Sequence, residues 1–301
     1  MNYMARALQL ASRALGTSSP NPAVGAVLVR DGQVVGEGAT QPPGEAHAEI
    51  VALRAAGPLA RGSTLYVTLE PCAHYGRTPP CVDAIVEAGI VETHVAMLDP
   101  SPWVDGHGID VLERAGIRVH RGSHEREARH LNEAYLCWLL RGRPLVTALY
   151  ALGLDGQPQP LEGASLSEPA RAELARLRST ADRTLTECGP LLAGDPTLTG
   201  LAASGVTALH LEAHPGLLGD LLQRGLLDRV ALFVTPTLGC ADAPGDGSGA
   251  PGGTAAGGAH LGAGTLRDVT YERLGDTLLI RGRLPADLPA DLGANDTPVE
   301  A

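Results

Sequence analysis

The sequence is poor in several features that define particular classes of protein. It has one Phe and only 3% aromatic residues, so it lacks the stacking platforms on which single-stranded nucleic acid is usually bound. The formal net charge is −11, and no Lys/Arg cluster forms the local basic patch that a nucleic-acid partner needs. No apolar run reaches about 18 residues, the length of a membrane span. We therefore expect neither a nucleic-acid partner nor a membrane partner.

Cysteines are also few and unevenly spaced. The 301 residues contain five, which do not form a disulfide framework for a chain of this size. The segment Met1–Arg6 lacks the basic start, long apolar stretch and cleavage site of a signal peptide. We therefore expect a cytoplasmic protein with reduced thiols. Cys137, Cys188 and Cys240 have no His or Cys at ligand spacing and are interpreted as ordinary thiols.

Apolar periodicity and turn signals predict an α/β domain over residues 1–142. Asp31-Gly32 is typical of a hairpin turn between two strands. Strands separated by helices then follow, which indicates a three-layer α/β/α domain with a mixed sheet. The predicted helices cover 2–15, 47–56, 81–88, 109–115 and 124–140, and the predicted strands cover 24–29, 33–38, 64–69, 94–98 and 117–119.

A second α/β segment is predicted over residues 143–285, beginning with a strand at Pro144. Residues 239–264 are rich in Gly, Ala and Pro and have almost no large apolar side chain, so they are interpreted as a loosely held loop. Residues 286–301 form a polar tail. Within this segment the sequence predicts helices near 167–178 and 216–225, strands at 206–211 and 229–235, and a closing strand over 270–283.

The pattern that carries chemistry is His47-Ala48-Glu49, followed by Pro71-Cys72 and then Cys81. One imidazole and two thiolates give zinc three ligands, and a catalytic zinc keeps its fourth position open for water. Glu49 then has the general acid/base role, moving a proton from water to the leaving amine. Pro80 suits the first turn of a helix, which places Cys81 near a helix N-terminus. His-x-Glu, Pro-Cys and a second Cys are the signature of zinc-dependent deaminases.

The spacing between the cysteines departs from that signature, because eight residues rather than two separate them. The whole segment Glu70–Cys81 closely resembles the deaminases of riboflavin biosynthesis, the N-terminal half of the bifunctional deaminase/reductase family of RibD type. The resemblance covers about residues 2–140 and has one departure, Ser101 in place of Asn. The other matching stretches are 19–25, 44–49 and 99–108.

The resemblance implies a substrate and the residues that bind it. The substrate is 2,5-diamino-6-(5-phosphoribosylamino)pyrimidin-4(3H)-one, a small pyrimidine ribotide whose C2 amine is replaced by water with release of ammonia. Asn21 offers donor and acceptor atoms to the pyrimidine edge. The loop beside the metal contributes Arg77 as the natural phosphate partner. The remaining candidates for substrate binding are His74, Tyr75 and Thr78.

After residue 142 the chain resembles the family's reductase domain, a dihydrofolate-reductase-like α/β fold that uses NADPH. The domain is truncated, because much of the family's central sheet is missing between Thr199 and Gly205. The family's Lys in the first strand is Leu149, and its Ser before Leu-Asp-Gly is Gly153. Its Glu-Gly-Gly turn reads Glu212-Ala213-His214, where side chains block the approach of a pyrophosphate to the backbone.

These departures predict a degenerate reductase half that serves in packing or in homo-oligomerisation through the C-terminal domain. The turn at 187–190 supports this prediction, because Pro190 cannot donate a backbone hydrogen bond. The retained residues Asp155, Arg178 and Glu212 keep the alternative open that the protein is fully bifunctional and reduces its own product with NADPH.

Three further classes are less consistent with the pattern. A nucleic-acid-editing deaminase needs aromatic platforms and basic channels. Free-nucleoside and guanine deaminases are expected to have the short Cys-x-x-Cys spacing. A structural zinc protein needs four protein ligands, for which His74 is the only nearby candidate, and Glu49 then has no role.

Overall fold

The structure is a computed structural model that describes residues 1–75, 79–101, 104, 106–186, 196–212, 221–238 and 266–284. Of these residues, those in 1–145, 176–183 and 196–209 form one compact unit, and the others form a second. The predicted first domain, 1–142, falls within the first unit, which also takes in two later segments. The predicted loop 239–264, the predicted tail 286–301 and part of the predicted helix 216–225 lie outside the described residues.

The first sheet has a mixed arrangement of strands. Its described strands are β1 (Gly25–Arg30), β2 (Gln33–Ala39), β3 (Thr64–Val67), β4 (Glu92–Val95) and β5 (Arg118–Arg121). They lie in the order β2-β1-β3-β4-β5, with β1 antiparallel to β2 and β3, and with β3, β4 and β5 parallel. Asp31 and Gly32 connect β1 to β2 with φ angles of 49° and 75°, which is the type I′ geometry that suits a two-residue hairpin.

Helices cover both faces of this sheet. They are α1 (Tyr3–Ala11), α2 (Ala48–Ala56), α3 (Cys81–Glu87), α4 (His107–Arg114), α5 (Glu125–Leu131) and α6 (Glu133–Arg141). A Cβ on Gly25 would overlap a backbone carbonyl of α1, and one on Gly38 would overlap a carbonyl of α2. Gly38 pairs with Ala26, and successive strand residues face opposite sides. The two helices therefore lie on opposite faces, and the three-layer α/β class is confirmed.

The last predicted helix of this domain, 124–140, is two helices. The break is at Asn132, whose side chain is buried and bonds to backbone outside the helix. Its Oδ1 accepts from the N–H of Ala23 at 2.9 Å, and its Nδ2 donates to the Ala23 carbonyl at 3.1 Å. An Asn side chain that satisfies a distant backbone pair competes with helical geometry, so α5 ends before Asn132 and α6 begins after it.

The second sheet is built around β6. Its described strands are β6 (Leu145–Leu152), β7 (Pro158–Gln159), β8 (Arg183–Leu185), β9 (Ala208–Leu211), β10 (Arg229–Val234), β11 (Arg267–Leu274) and β12 (Thr277–Arg283), and this part of the chain also has α7 (Glu168–Thr180) and α8 (Pro196–Ala203). The order is β11-β12-β10-β6-β9-β8, with β7 paired to β6. β6 is parallel to β10 and buried over nearly its whole length, as expected for a central strand covered on both faces.

The predicted single closing strand over 270–283 is wrong. The chain forms an antiparallel hairpin, β11–β12, with Leu274 paired to Thr277 across a tight turn. Gly275 in this turn has a φ of 62°, a backbone conformation that ends a strand and that glycine adopts without steric cost. In the part of the chain that the structure describes, no helix is long and apolar enough to cross a membrane.

Candidate metal centre and active site

Three ligand side chains meet at the ends of one strand and two helices of the first domain. His47 directly precedes α2, Cys72 lies in the loop after β3, and Cys81 is the first residue of α3. His47 Nδ1 is 3.3 Å from Cys81 Sγ and 3.6 Å from Cys72 Sγ. Tetrahedral zinc, with bonds of about 2.3 Å to sulfur and 2.0 Å to nitrogen, places such atoms about 3.5 Å apart. The donor set and its spacing therefore fit zinc.

Hydrogen bonds from the first residues of α3 join that helix to Cys72. The backbone N–H of Cys81 donates to Cys72 Sγ at 3.3 Å, and the N–H of Val82 donates to the Cys72 carbonyl at 3.3 Å. Cys81 itself is fully buried. Backbone hydrogen bonds at the start of α3 thus hold Cys72 close to Cys81.

The charges of these groups depend strongly on one another. The Cys81 thiol donates to Cys72 Sγ, which lowers the pKa of Cys72 to about 4 and raises the pKa of Cys81. The hydrogen bond with Cys72 also raises the pKa of His47. The arrangement therefore favours a thiolate at Cys72, and thiolate is the form that binds metal.

Glu49 is the carboxyl group of the site. It lies in the first turn of α2 and is only 4% exposed. Burial, with a further contribution from the charge of Cys72, raises the pKa of Glu49 to about 7. A carboxyl group that titrates near neutral pH can both accept and release a proton under physiological conditions. Its position two residues after His47 places it on the same helix end as the imidazole.

Glu70 is a buried carboxylate that the sequence analysis did not single out. It precedes Pro71-Cys72, and its two oxygens accept from four backbone N–H groups. Oε2 accepts from Asp99 at 3.3 Å and Gly106 at 3.0 Å, and Oε1 accepts from Gly108 at 2.9 Å and Ile109 at 3.4 Å. The carboxylate thereby satisfies free N–H groups at the start of α4 and ties the Cys72 loop to that helix.

Gly108 makes this contact possible. A Cβ at Gly108 would overlap the carbonyl oxygen of Pro71, and it would lie 3.1 Å from Glu70 Oε1. Only glycine lets the start of α4 approach the Cys72 loop so closely. The signals that could have found this contact are a Glu directly before Pro-Cys and the stretch Gly106-His107-Gly108.

The structure describes three of the five predicted substrate-binding residues. Asn21 lies in a half-buried turn, and its N–H donates to the Ser18 carbonyl at 2.8 Å. His74 and Tyr75 follow Cys72 on the surface, with Tyr75 79% exposed. Arg77 and Thr78 lie outside the described residues. The turn with Asn21 is held by Asn132, whose two hydrogen bonds to Ala23 are a further contribution that the sequence analysis missed.

Comparison with known proteins places this geometry in a family. The model of the cytidine and deoxycytidylate deaminase zinc-binding region matches residues 1–97. The chain is 46% identical over 200 residues to riboflavin biosynthesis protein RibD of Escherichia coli strain K12, and 46% identical over 201 residues to RibD of Aquifex aeolicus. The solved structure of Acinetobacter baumannii RibD, form 2, aligns with a TM-score of 0.76 and 30% identity, covering 94% of this chain and 98% of that one. The chain belongs to the RibD family.

The sequence match to these RibD proteins is partial. It covers 65% of this chain and 54% of the E. coli protein, so the match spans about half the length of that relative. The 200 matched residues exceed the predicted first domain, 1–142, so the RibD similarity continues into the second segment. The region matched by the zinc-binding model, 1–97, contains all three ligand candidates and Glu49. The metal of a RibD-family site with this donor set is zinc.

The structure describes all three residues that the sequence predicts as remnants of a reductase site. Asp155 is exposed in the turn between β6 and β7, where its Oδ1 accepts from the Gln157 N–H at 3.0 Å. Arg178 is half-buried in α7 and belongs to the first compact unit. Glu212 follows β9 and donates its N–H to the Leu185 carbonyl. The stretches 187–195 and 213–220, which hold several of the predicted departures, lie outside the described residues.

Proposed function

We propose that the chain is a zinc-dependent deaminase of riboflavin biosynthesis. The reaction converts 2,5-diamino-6-(5-phosphoribosylamino)pyrimidin-4(3H)-one and water to 5-amino-6-(5-phosphoribosylamino)uracil and ammonia. The observation that carries the proposal is the cluster of His47, Cys72 and Cys81 beside the buried Glu49 carboxyl. The printed names of the E. coli and Aquifex relatives, which call them riboflavin biosynthesis proteins, support the pathway.

The three ligand residues hold the metal, and Glu49 moves the proton. Zinc at such a site supplies Lewis acidity, which makes water acidic enough to provide hydroxide near neutral pH. Glu49 accepts the proton of the attacking water and later delivers it to the amine that leaves from C2. A general acid/base group of this kind contributes about 10²–10⁴-fold to a rate. The burial of Glu49 keeps the carboxyl away from bulk solvent, which would otherwise exchange that proton.

Substrate recognition is assigned to the turn at Asn21 and the loop after Cys72. The Asn21 amide donates to and accepts from the pyrimidine edge, because an amide can do both at once. His74 and Tyr75 are exposed beside the ligand Cys72, so they are accessible to the ribose. Arg77 in this proposal binds the phosphate, for which a guanidinium is the best-matched side chain, and Thr78 adds a hydroxyl.

Ammonia release from the diaminopyrimidinone ribotide tests the deaminase proposal. The zinc-loaded full chain is compared with Glu49→Gln, which keeps the size of the side chain and removes its acid/base function. We expect Glu49→Gln to lose at least about 10²-fold in kcat while it retains the zinc content of the wild type. The matched control is Glu87→Gln, at an exposed position in α3, which we expect to match the wild type.

Two outcomes would contradict this assignment. If the wild type binds zinc that Cys72→Ser does not bind, and still releases no ammonia, the chain is not this deaminase. If Glu49→Gln is as active as the wild type, another group moves the proton.

We propose that the second half has lost reductase activity, so that NADPH is not a cofactor of this chain. Leu149, fully buried in β6, stands where the resemblance predicts Lys. The bifunctional alternative rests on Asp155, Arg178 and Glu212. The test is NADPH oxidation with 5-amino-6-(5-phosphoribosylamino)uracil as substrate. We expect no oxidation above the background without enzyme, and turnover at an enzymatic rate would establish the bifunctional alternative instead.

We further propose that the domains divide near residue 142, and that the protein is a cytoplasmic homo-oligomer assembled through its C-terminal half. A reduced cytoplasm suits a site that needs free Cys72 and Cys81 thiols. Light scattering of the full chain and of the fragment 1–142 tests the assembly. An oligomeric full chain and a monomeric fragment are expected, and a monomeric full chain would contradict the proposal.

A further inference from the structure

A second group of metal-binding side chains lies on the first sheet, on two adjacent parallel strands. Glu92 and His94 are two residues apart on β4, and Arg118 and His120 are two residues apart on β5. The register pairs Glu92 with Arg118 and His94 with His120. Because side chains two residues apart point to the same face, all four share one face of the sheet. We call Glu92, His94 and His120 the Glu/His cluster.

The ligand atoms of the Glu/His cluster lie close together. Glu92 Oε1 is 3.1 Å from His94 Nε2 and also 3.1 Å from His120 Nε2. All three atoms lie within 4.8 Å of one another. A tetrahedral ion with bonds of about 2.0–2.1 Å to nitrogen and oxygen separates its ligand atoms by about 3.4 Å. The two distances from Glu92 Oε1 are therefore close to what one bound ion requires, and the two imidazole nitrogens lie within 4.8 Å of each other.

Neighbouring groups hold these side chains in place. Tyr66 on β3 stacks on His94, with ring centroids 4.6 Å apart, and His94 stacks on His120 at 4.5 Å. Arg118 Nη2 is 2.6 Å from Glu92 Oε2, so this oxygen is engaged while Oε1 faces the two imidazoles. Metal-binding carboxylates are commonly oriented by such a second hydrogen bond.

We propose that the Glu/His cluster binds a first-row divalent transition-metal ion, separately from the site at His47. Two imidazoles and one carboxylate suit zinc, iron, cobalt or nickel, whereas magnesium and calcium prefer oxygen ligands alone. The side chain of His120 is 53% exposed, so solvent reaches the cluster and can fill the remaining positions. Glu92 is the first residue of β4, whereas Cys72 follows the carboxyl end of β3. The cluster therefore begins at the opposite end of these parallel strands.

Cobalt titration of the metal-free full chain distinguishes the two sites. Co²⁺ bound by thiolates gives a charge-transfer absorption in the near ultraviolet, and Co²⁺ bound by His and Glu does not. We expect the wild type to bind two equivalents, one with this absorption and one without it. Cys72→Ser is expected to lose the thiolate charge-transfer absorption. His94→Gln and His120→Gln are each expected to keep that absorption and to lose the cobalt equivalent that is bound without it. Arg118→Gln should weaken that equivalent by about 10–100-fold.

The control is His124→Gln, at a half-buried histidine outside the cluster, which should retain both equivalents. A wild type that binds only one equivalent overturns the proposal, and so do His94→Gln and His120→Gln variants that still bind two. In those cases Glu92 simply accepts hydrogen bonds from two imidazoles. Retention of the thiolate absorption shows that each variant is folded. If His94→Gln does not fold, His120→Gln decides, because its side chain is half exposed on the edge strand. Activity is not measured, so failure here leaves the deaminase proposal untouched.

Discussion

The first and second sheets differ in the side chains they carry where the RibD resemblance places chemistry. In the first domain, three ligand atoms and the Glu49 carboxyl meet in a buried setting, and Glu70 fixes the ligand loop through four backbone N–H groups. In the second sheet, the predicted Lys is replaced by Leu149, which is fully buried. Both sheets nevertheless have an internal strand that is buried along most of its length, β1 in one and β6 in the other.

This difference shows that a sheet and a site have separate physical requirements. Apolar strands stabilise a sheet by removing hydrocarbon from water. A buried polar group costs free energy unless it is hydrogen-bonded or paired with an opposite charge. A position that no longer serves chemistry can therefore change from Lys to Leu with the sheet intact. On these terms the second half can keep a RibD-like fold after the loss of reductase activity that we propose.

The largest effect is expected when the predicted Lys is restored. Leu149→Lys places an amine at a fully buried position of β6, and an unpaired buried charge lowers the free energy of unfolding by about 3–5 kcal/mol. Urea denaturation measures the change. Leu149→Met is the control and should cost less than about 1.5 kcal/mol. A stable Leu149→Lys variant that binds NADPH would show that the second sheet still holds a polar site, and the contrast between the sheets would disappear.

A smaller effect is expected at Glu70. Glu70→Ala leaves four N–H groups without their acceptor, and the free energy of unfolding should fall by about 2–3 kcal/mol. Because the Cys72 loop loses its attachment to α4, zinc affinity should also fall, which competition with a chelator measures. Glu87→Ala, at an exposed position, should stay within about 0.5 kcal/mol. If zinc affinity is unchanged in Glu70→Ala, the hydrogen bonds from the Cys81 and Val82 N–H groups to Cys72 are sufficient to position the ligands.

The smallest changes in stability are expected at two glycines, one tightly packed near the Cys72 loop and one with open space around it in α8. Gly108→Ala forces a methyl group onto the Pro71 carbonyl and should destabilise by about 1–3 kcal/mol. Gly200→Ala, on an exposed face of α8 with open space around it, should stabilise by up to about 1 kcal/mol. Thermal unfolding measures both. Equal shifts for the two variants would contradict the proposed difference in packing.

The sequence predicted correctly those helices and turns whose ends are determined by residues close by in the chain. The Asp31-Gly32 hairpin and the boundaries of α2 and α3 follow from turn residues and apolar spacing within a few positions. The division of the last helix at Asn132 did not follow, because its cause is the backbone of Ala23 far away in the sequence. The β11–β12 hairpin was missed because Gly275-Asp276 interrupts a stretch whose two halves both have strand character.

The same distinction holds at the metal centre. The identity and order of His47, Cys72 and Cys81 were sufficient to predict that these side chains lie together and that their donor atoms suit zinc. The supporting interactions were not predicted. Glu70 accepts from residues 29 to 39 positions away, and the Glu/His cluster depends on a strand register that no single segment encodes.

The closure of the Cys72–Cys81 loop at both ends has a consequence for protein engineering. Glu70 anchors the chain before Cys72, and the Cys81 and Val82 N–H groups anchor it again at α3. The metal ligands are thus positioned by the ends of the loop rather than by its length. We therefore expect segments of other lengths, grafted in place of residues 73–79, to leave the zinc site intact and to change which pyrimidine substrates are accepted.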